Sequence, residues 1–95
     1  MLQPIPVVDS YGVKRWYLDK VLHREDGPAI EYPNGQSCWF LNGQYHREDG
    51  PAFIDIHSNK KEWWLHHENV SWKEVFKNAN GNYHNQIKIL MHVFE

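Results

Sequence analysis

HREDGPA stands at residues 23–29 and again, unchanged, at residues 46–52. Two copies of one heptapeptide in a chain of 95 residues are either a catalytic box written twice or a corner that the fold turns twice. The spacing around them favours the corner. The copies begin 23 residues apart, and Trp16–Trp39 and Gly12–Gly35 keep the same interval. Trp39 to Trp63 is 24 residues, which puts a one-residue insertion near His57–Ser58–Asn59. GVKRWYLD, GQSCWFLN and NKKEWWLH therefore stack, as do IPVVDSY, AIEYPN and AFIDIHS before them. A period of this length is expected of stacked supersecondary units.

Each unit reads as strand punctuated by turns. Ala29–Tyr32 and Ala52–Ile56 are β-rich runs, Cys38–Leu41 and Glu62–Leu65 carry a tryptophan, and Gln44–His46 is a brief return strand. Asn42–Gly43 is a strong hairpin signal, because both residue types tolerate positive φ. Within the heptapeptide, Asp26–Gly27 and Asp49–Gly50 are expected to form a tight turn, Asp bonding backbone amides and Gly taking a φ that other residues resist. Pro28 and Pro51 then start the next strand, where a missing N–H matters little. His23 and His46 are expected to pack on the tryptophan face. The fold class implied is mainly β, an antiparallel meander of stacked hairpins over residues 1–70, with a C-terminal α segment over residues 71–95.

That segment opens on a capping box, Ser71-Trp-Lys-Glu74, with Val70 and Val75 placed as a hydrophobic staple. A helix from about Trp72 to Ala79 follows, stopped by Asn80–Gly81–Asn82. Residues 86–94, QIKILMHVF, fit helical spacing through Ile87, Leu90, Met91 and Phe94, and fit alternation through Ile87, Ile89, Met91 and Val93. The helical reading is preferred. Val75, Phe76, Ile87, Leu90 and Phe94 are then the residues expected to cover one face of the sheet.

Bulk properties narrow the function. Net charge is −2 and no basic run exceeds two residues, unlike the concentrated basic footprint of a general nucleic-acid binder. One cysteine, Cys38, excludes an internal disulfide and fits a reducing compartment. No apolar stretch has the length of a signal peptide or a membrane span, so a cytoplasmic protein is expected.

The pattern W-[YF]-L-x-G-x-x-H-R-x-D-G-P-A, clearest at Trp39–Ala52, resembles the MORN-like repeats of small phage and bacterial proteins. The resemblance covers roughly residues 12–76. It implies a single-layer sheet of stacked hairpins, often running into a short capped helix, and a phage or bacterial source. It brings no catalytic residue, and the glycine-rich return of the usual MORN repeat is replaced here by HREDGPA. Membrane or phosphoinositide binding is therefore not carried over.

Candidate chemistry divides into three readings. A His/Asp metal site serving hydrolysis or nuclease chemistry would draw on His23, Asp26, His46 and Asp49 with His57, His66 and His67, but each heptapeptide offers only two ligands. Residues that recur with the fold are expected to serve the fold, so no enzyme and no cofactor is expected. A nucleic-acid module is disfavoured by charge. Protein–protein contact remains. Trp16–Tyr17, Trp39–Phe40 and Trp63–Trp64 are adjacent pairs, which a strand points to opposite faces. A thin sheet cannot bury both columns, so one must curl over, dimerise or stay exposed. Tyr17, Phe40 and Trp64 with Arg24 and Arg47 are the expected contact surface for a protein partner, such as a host or defence protein, or a second copy.

Overall fold

The computed structural model describes residues 2–95. It is mainly antiparallel β-sheet with two helices at the C-terminal end. The strands are β1 (Ile5–Val8), β2 (Lys14–Leu18), β3 (Val21–Leu22), β4 (Ile30–Glu31), β5 (Gln36–Cys38), β6 (Phe40–Leu41), β7 (Gln44–Tyr45), β8 (Phe53–Asp55), β9 (Lys60–Leu65) and β10 (Glu68–Val70). Helices α1 (Trp72–Asn78) and α2 (Tyr83–Val93) follow. The main sheet runs β1-β2-β4-β5-β8-β9-β10, with β3 attached to β2, while β6 and β7 form a separate hairpin.

One rule organises the path: each tryptophan-bearing strand changes partner at its tryptophan. Lys14 and Arg15 pair with β4, whereas Tyr17 and Leu18 pair with β3. Gln36–Cys38 pair with β8, and beyond Trp39 the chain pairs with β7 instead. Lys60–Glu62 pair with β8, and Trp63–Leu65 with β10. At the first switch Trp16 accepts from His23 N–H at 3.1 Å and donates to the Ala29 carbonyl at 2.8 Å. Trp39 does the same with His46 (3.2 Å) and Ala52 (2.7 Å). The heptapeptide is thus an excursion that leaves and rejoins the sheet at one tryptophan, a loop closed by two main-chain bonds.

The loop interior differs from expectation. Gly27 and Gly50 do not take positive φ; Gly12, Gly35, Gly43 and Gly81 do. They are glycines because a Cβ at either position would lie 2.7 Å from the guanidinium carbon of Arg24 or Arg47. Nor do the aspartates bond backbone amides. Arg24 Nε donates to Asp26 at 3.0 Å and Arg47 Nε to Asp49 at 2.8 Å. A second guanidinium nitrogen reaches the carbonyl of Pro28 (3.1 Å) or Pro51 (3.0 Å). The arginine staples its own loop. Pro28 and Pro51 are acceptors in that staple, and the strands begin two residues later, at Ile30 and Phe53.

Hairpin turns between β2–β3, β6–β7 and β9–β10 place both central residues at positive φ: Asp19 and Lys20, Asn42 and Gly43, His66 and His67. Only the middle pair carries the expected Asn-Gly. The histidines then join neighbouring hairpins. His23 Nδ1 accepts from Asn42 N–H and His46 Nδ1 from His66 N–H, each at 2.9 Å, so they are buried links rather than rings laid on tryptophan.

Ser71 caps α1, its hydroxyl accepting from Glu74 N–H at 3.4 Å, as the capping box predicts. The second helix is longer at its start than expected, because Asn82 caps it through Asn85 N–H. Its buried residue is Ile89, packed with Val75 and Ala79 and flanked by Trp63, Leu65 and Val93. Ile87 and Phe94, expected to cover the sheet, are 59% and 76% exposed. At 100° per residue Ile89 and Val93 share one face, and Ile87 lies across from it. A second cluster, Val13, Ile30 and Cys38, holds Leu22, Phe40, Tyr45 and Phe53 against the middle of the sheet.

The two ends of the sheet are protected differently. Trp16 turns both its N–H and its carbonyl away from β1, so Pro6 opposite it faces the free edge. Pro4 has the same parity. Neither has an N–H, so β1 presents an edge poor in donors, which discourages further pairing. Towards the other end, where β10 pairs only with Trp63–Leu65 of β9, Lys61 in the first half of β9 reaches to the His92 carbonyl (2.8 Å) and to the Glu95 carboxylate, tying the end of α2 to β9.

Candidate functional site

Between the two heptapeptides lies an open groove of about 440 Å³. Its walls are Arg24–Gly27 from the first loop and His46–Asp49 from the second, with Asn85 and Lys88 from α2 closing one side and Trp39 and Leu41 forming an apolar base. The loop geometry brings these groups together. Because each loop springs from a tryptophan, Arg24 lies over the Trp16 ring (4.1 Å to its centroid) and Arg47 over Trp39 (4.0 Å). Guanidinium over indole is a favourable electrostatic and dispersive contact. Trp63 has no such loop after it; Val75, Ala79 and Ile89 of the helices pack there instead.

Most charges in the groove are paired. Arg24 meets Asp26 and, at 3.6 Å, Glu31. Asp49 receives Arg47 at 2.8 Å and Lys88 at 2.9 Å. Burial would raise the Asp49 carboxyl, but the hydrogen bonds from Lys88 and Arg47 outweigh it and hold the group below the ordinary aspartate value. With its Nδ1 used as an acceptor, the His46 ring carries its proton on Nε2 and donates it to Glu48 at 2.8 Å. His92, on the groove side of α2, is pushed down by burial and by the nearby Arg47.

The lining contains no Ser, Thr or Cys. His46, the one imidazole in it, has its basic nitrogen occupied by a main-chain donor. Among the described residues, no three His, Cys, Asp or Glu side chains are grouped to hold a metal ion. Cys38 is buried beside Tyr45, and burial pushes the thiol up, away from the reactive thiolate. No helix of the described residues is long and apolar enough to cross a membrane.

The five contact residues expected from sequence separate into two places. Arg24 and Arg47 line the groove. Phe40 and Trp64 belong to a row of rings through Tyr45, with centroids 4.3 Å and 4.9 Å apart, and Phe40 packs on the Val13–Ile30–Cys38 cluster. Tyr17 faces Leu22 in register as Phe40 faces Tyr45. All three are half-buried. The columns on the two faces are thus both partly covered, one by arginines and helices and the other by this row. Sequence reasoning missed Glu48, Asn85, Lys88 and the role of Trp39 as groove base. Glu48 was legible as a member of the duplicated loop; Asn85 and Lys88 carry no local signal.

No protein-family model matches this chain, and no curated protein or solved structure matches it significantly.

Proposed function

We propose that this chain is a non-enzymatic β-repeat protein, built of stacked hairpin units about 23 residues long, that works by protein–protein contact. The observation that carries the reading is the convergence of two identical loops on one open groove with an indole base. Such a site combines a ring for apolar contact with a polar rim, the usual anatomy of a recognition surface. Arg24 and Arg47 are its centre, held rigid by their own loops, and Glu25 and Glu48 are its exposed rim. Tyr17, Phe40 and Trp64 support the sheet behind it. The resemblance of Trp39–Ala52 to MORN-like repeats of phages and bacteria makes a host or defence protein the partner class, and the chain an accessory factor that occupies it.

Affinity capture from a bacterial host lysate tests this, comparing the wild-type chain with Glu25→Lys/Glu48→Lys. Glu25 is exposed and without an ion pair among the described residues, whereas Glu48→Lys takes the acceptor from His46 Nε2–H, so circular dichroism and Glu25→Lys alone separate loss of contact from loss of fold. A protein captured at stoichiometric level by the wild type and lost with the double variant supports the groove. Equal capture by both chains places the contact elsewhere.

A further inference from the structure

The outer side of α2 is apolar and uncovered. Tyr83, Ile87, Met91 and Phe94 are 77%, 59%, 65% and 76% exposed. Half-buried Leu90 borders this stripe, and Phe94, the C-cap residue, keeps most of its ring exposed while one edge meets Trp72. Tyr83, Ile87, Leu90 and Phe94 follow 4-3-4 spacing, the seam of a helix that packs against another helix. Asn85, Lys88 and His92 lie on a different flank of the helix, towards the second loop, so the stripe is separate from the groove.

We propose that this stripe is a self-association surface, on which a second copy of the chain docks its own α2 antiparallel to the first. Charge argues for a second copy. Lys88 is the only Lys, Arg, Asp or Glu in α2, and it is turned away and bound to Asp49, so two identical seams meet without like-charge repulsion. Register argues for the antiparallel arrangement. A two-fold axis midway between Lys88 and Ile89 sets Tyr83 against Phe94 of the other copy and Ile87 against its Leu90. It also opposes the two helix dipoles. Area fits a modest dimer: the exposed parts of Tyr83, Ile87, Met91 and Phe94 amount to on the order of 500 Å² per copy, so pairing covers at most roughly 1,000 Å², near the lower bound for a specific interface.

Sedimentation velocity over a range of protein concentrations tests the proposal, together with Ile87→Glu and a mixing experiment. The wild type is expected to pass from monomer to dimer as concentration rises. Ile87→Glu places a carboxylate in the seam at an exposed position that the fold tolerates, and weakens dimerisation about tenfold or more. In a Cys38→Ser background, a mixture of Tyr83→Cys and Phe94→Cys chains is expected to form the mixed disulfide in excess of either like pair. A wild type that stays monomeric, a dimer indifferent to Ile87→Glu, or a preference for Tyr83→Cys like pairs overturns the proposal. So does a monomer that instead co-sediments with phosphatidylcholine–phosphatidylglycerol vesicles, since lipid would then cover the stripe.

Discussion

Asp26 and Asp49 hold the same place in identical heptapeptides, and each accepts from the Nε of the arginine two residues before it. Their side chains are nevertheless 89% and 29% exposed. Loop geometry is the same in both copies: the same main-chain closure, the same staple to a proline carbonyl, the same guanidinium over indole. What differs is the neighbour. The second loop lies against α2, where Lys88 supplies a second cation to Asp49; Asp26 has no counterpart of that contact among the described residues. A heptapeptide can therefore fix its own shape without fixing its environment, and equal substitutions in the two loops should have unequal effects.

The widest gap is expected at the arginines. Arg47→Ala removes a cation–π contact and two hydrogen bonds in the more buried loop, and should lower unfolding free energy by about 3 kcal/mol. Arg24→Ala loses the same bonds in a wetter setting and should lower it by about 1 kcal/mol. Paired urea denaturation curves measure both, and equal values would show that α2 contributes nothing to the second loop.

Next come the glycines. A Cβ at Gly50 pushes on a guanidinium confined between Trp39 and Asp49, so Gly50→Ala should destabilise by about 2 kcal/mol. At Gly27 the crowding is the same but the partner Asp26 is exposed and can shift with the arginine, so Gly27→Ala should cost less, under about 1 kcal/mol. The order of the two melting temperatures decides it.

The aspartates sharpen the comparison through pH. Asp49 has its folded value lowered, so its stabilisation is present above the ordinary aspartate value of about 3.9. It is lost as pH falls from there through the folded value. Asp49→Asn should therefore be less stable than wild type by about 1–2 kcal/mol near neutrality, with the difference closing in denaturation curves as pH falls below the ordinary aspartate value and through the lowered folded one. Asp26→Asn should change stability by less than about 0.5 kcal/mol, as exposed pairs do.

Lys88→Ala belongs at the same small end of the scale. It should destabilise by about 0.5 kcal/mol and make the second loop resemble the first. In that background Asp49→Asn should cost nearly as little as Asp26→Asn, and a double-mutant cycle reads the coupling directly.

Much of this was legible in order of chain distance. The strand-and-turn alternation, the Asn42–Gly43 turn and the Ser71 cap all rest on residues within four positions of one another, where local geometry dominates. Asp19–Lys20 and His66–His67 carry no glycine, so their left-handed turns were invisible to composition. Aligning them on the tryptophan spacing puts them at the place of Asn42–Gly43, and that was the signal available. The glycines of the loops were recognised as necessary for the wrong reason: crowding by arginine replaces positive φ. In α2 the apolar residues fit helical spacing, yet the core took Ile89 and left Ile87 and Phe94 outside. Both sides of that helix are apolar, so periodicity alone could not select one.

The sequence by itself determined the mainly-β character, the helical tail and the two loops whose residues mostly bond to one another or to the tryptophan before them. Those contacts span a few residues, and identical heptapeptides answer them identically. Tertiary structure decided which loop is covered, what forms the groove and which stripe of α2 faces outward. The bond from Lys88 to Asp49 bridges 39 residues, and no local pattern encodes which distant surface a helix will choose when it has two apolar sides to offer.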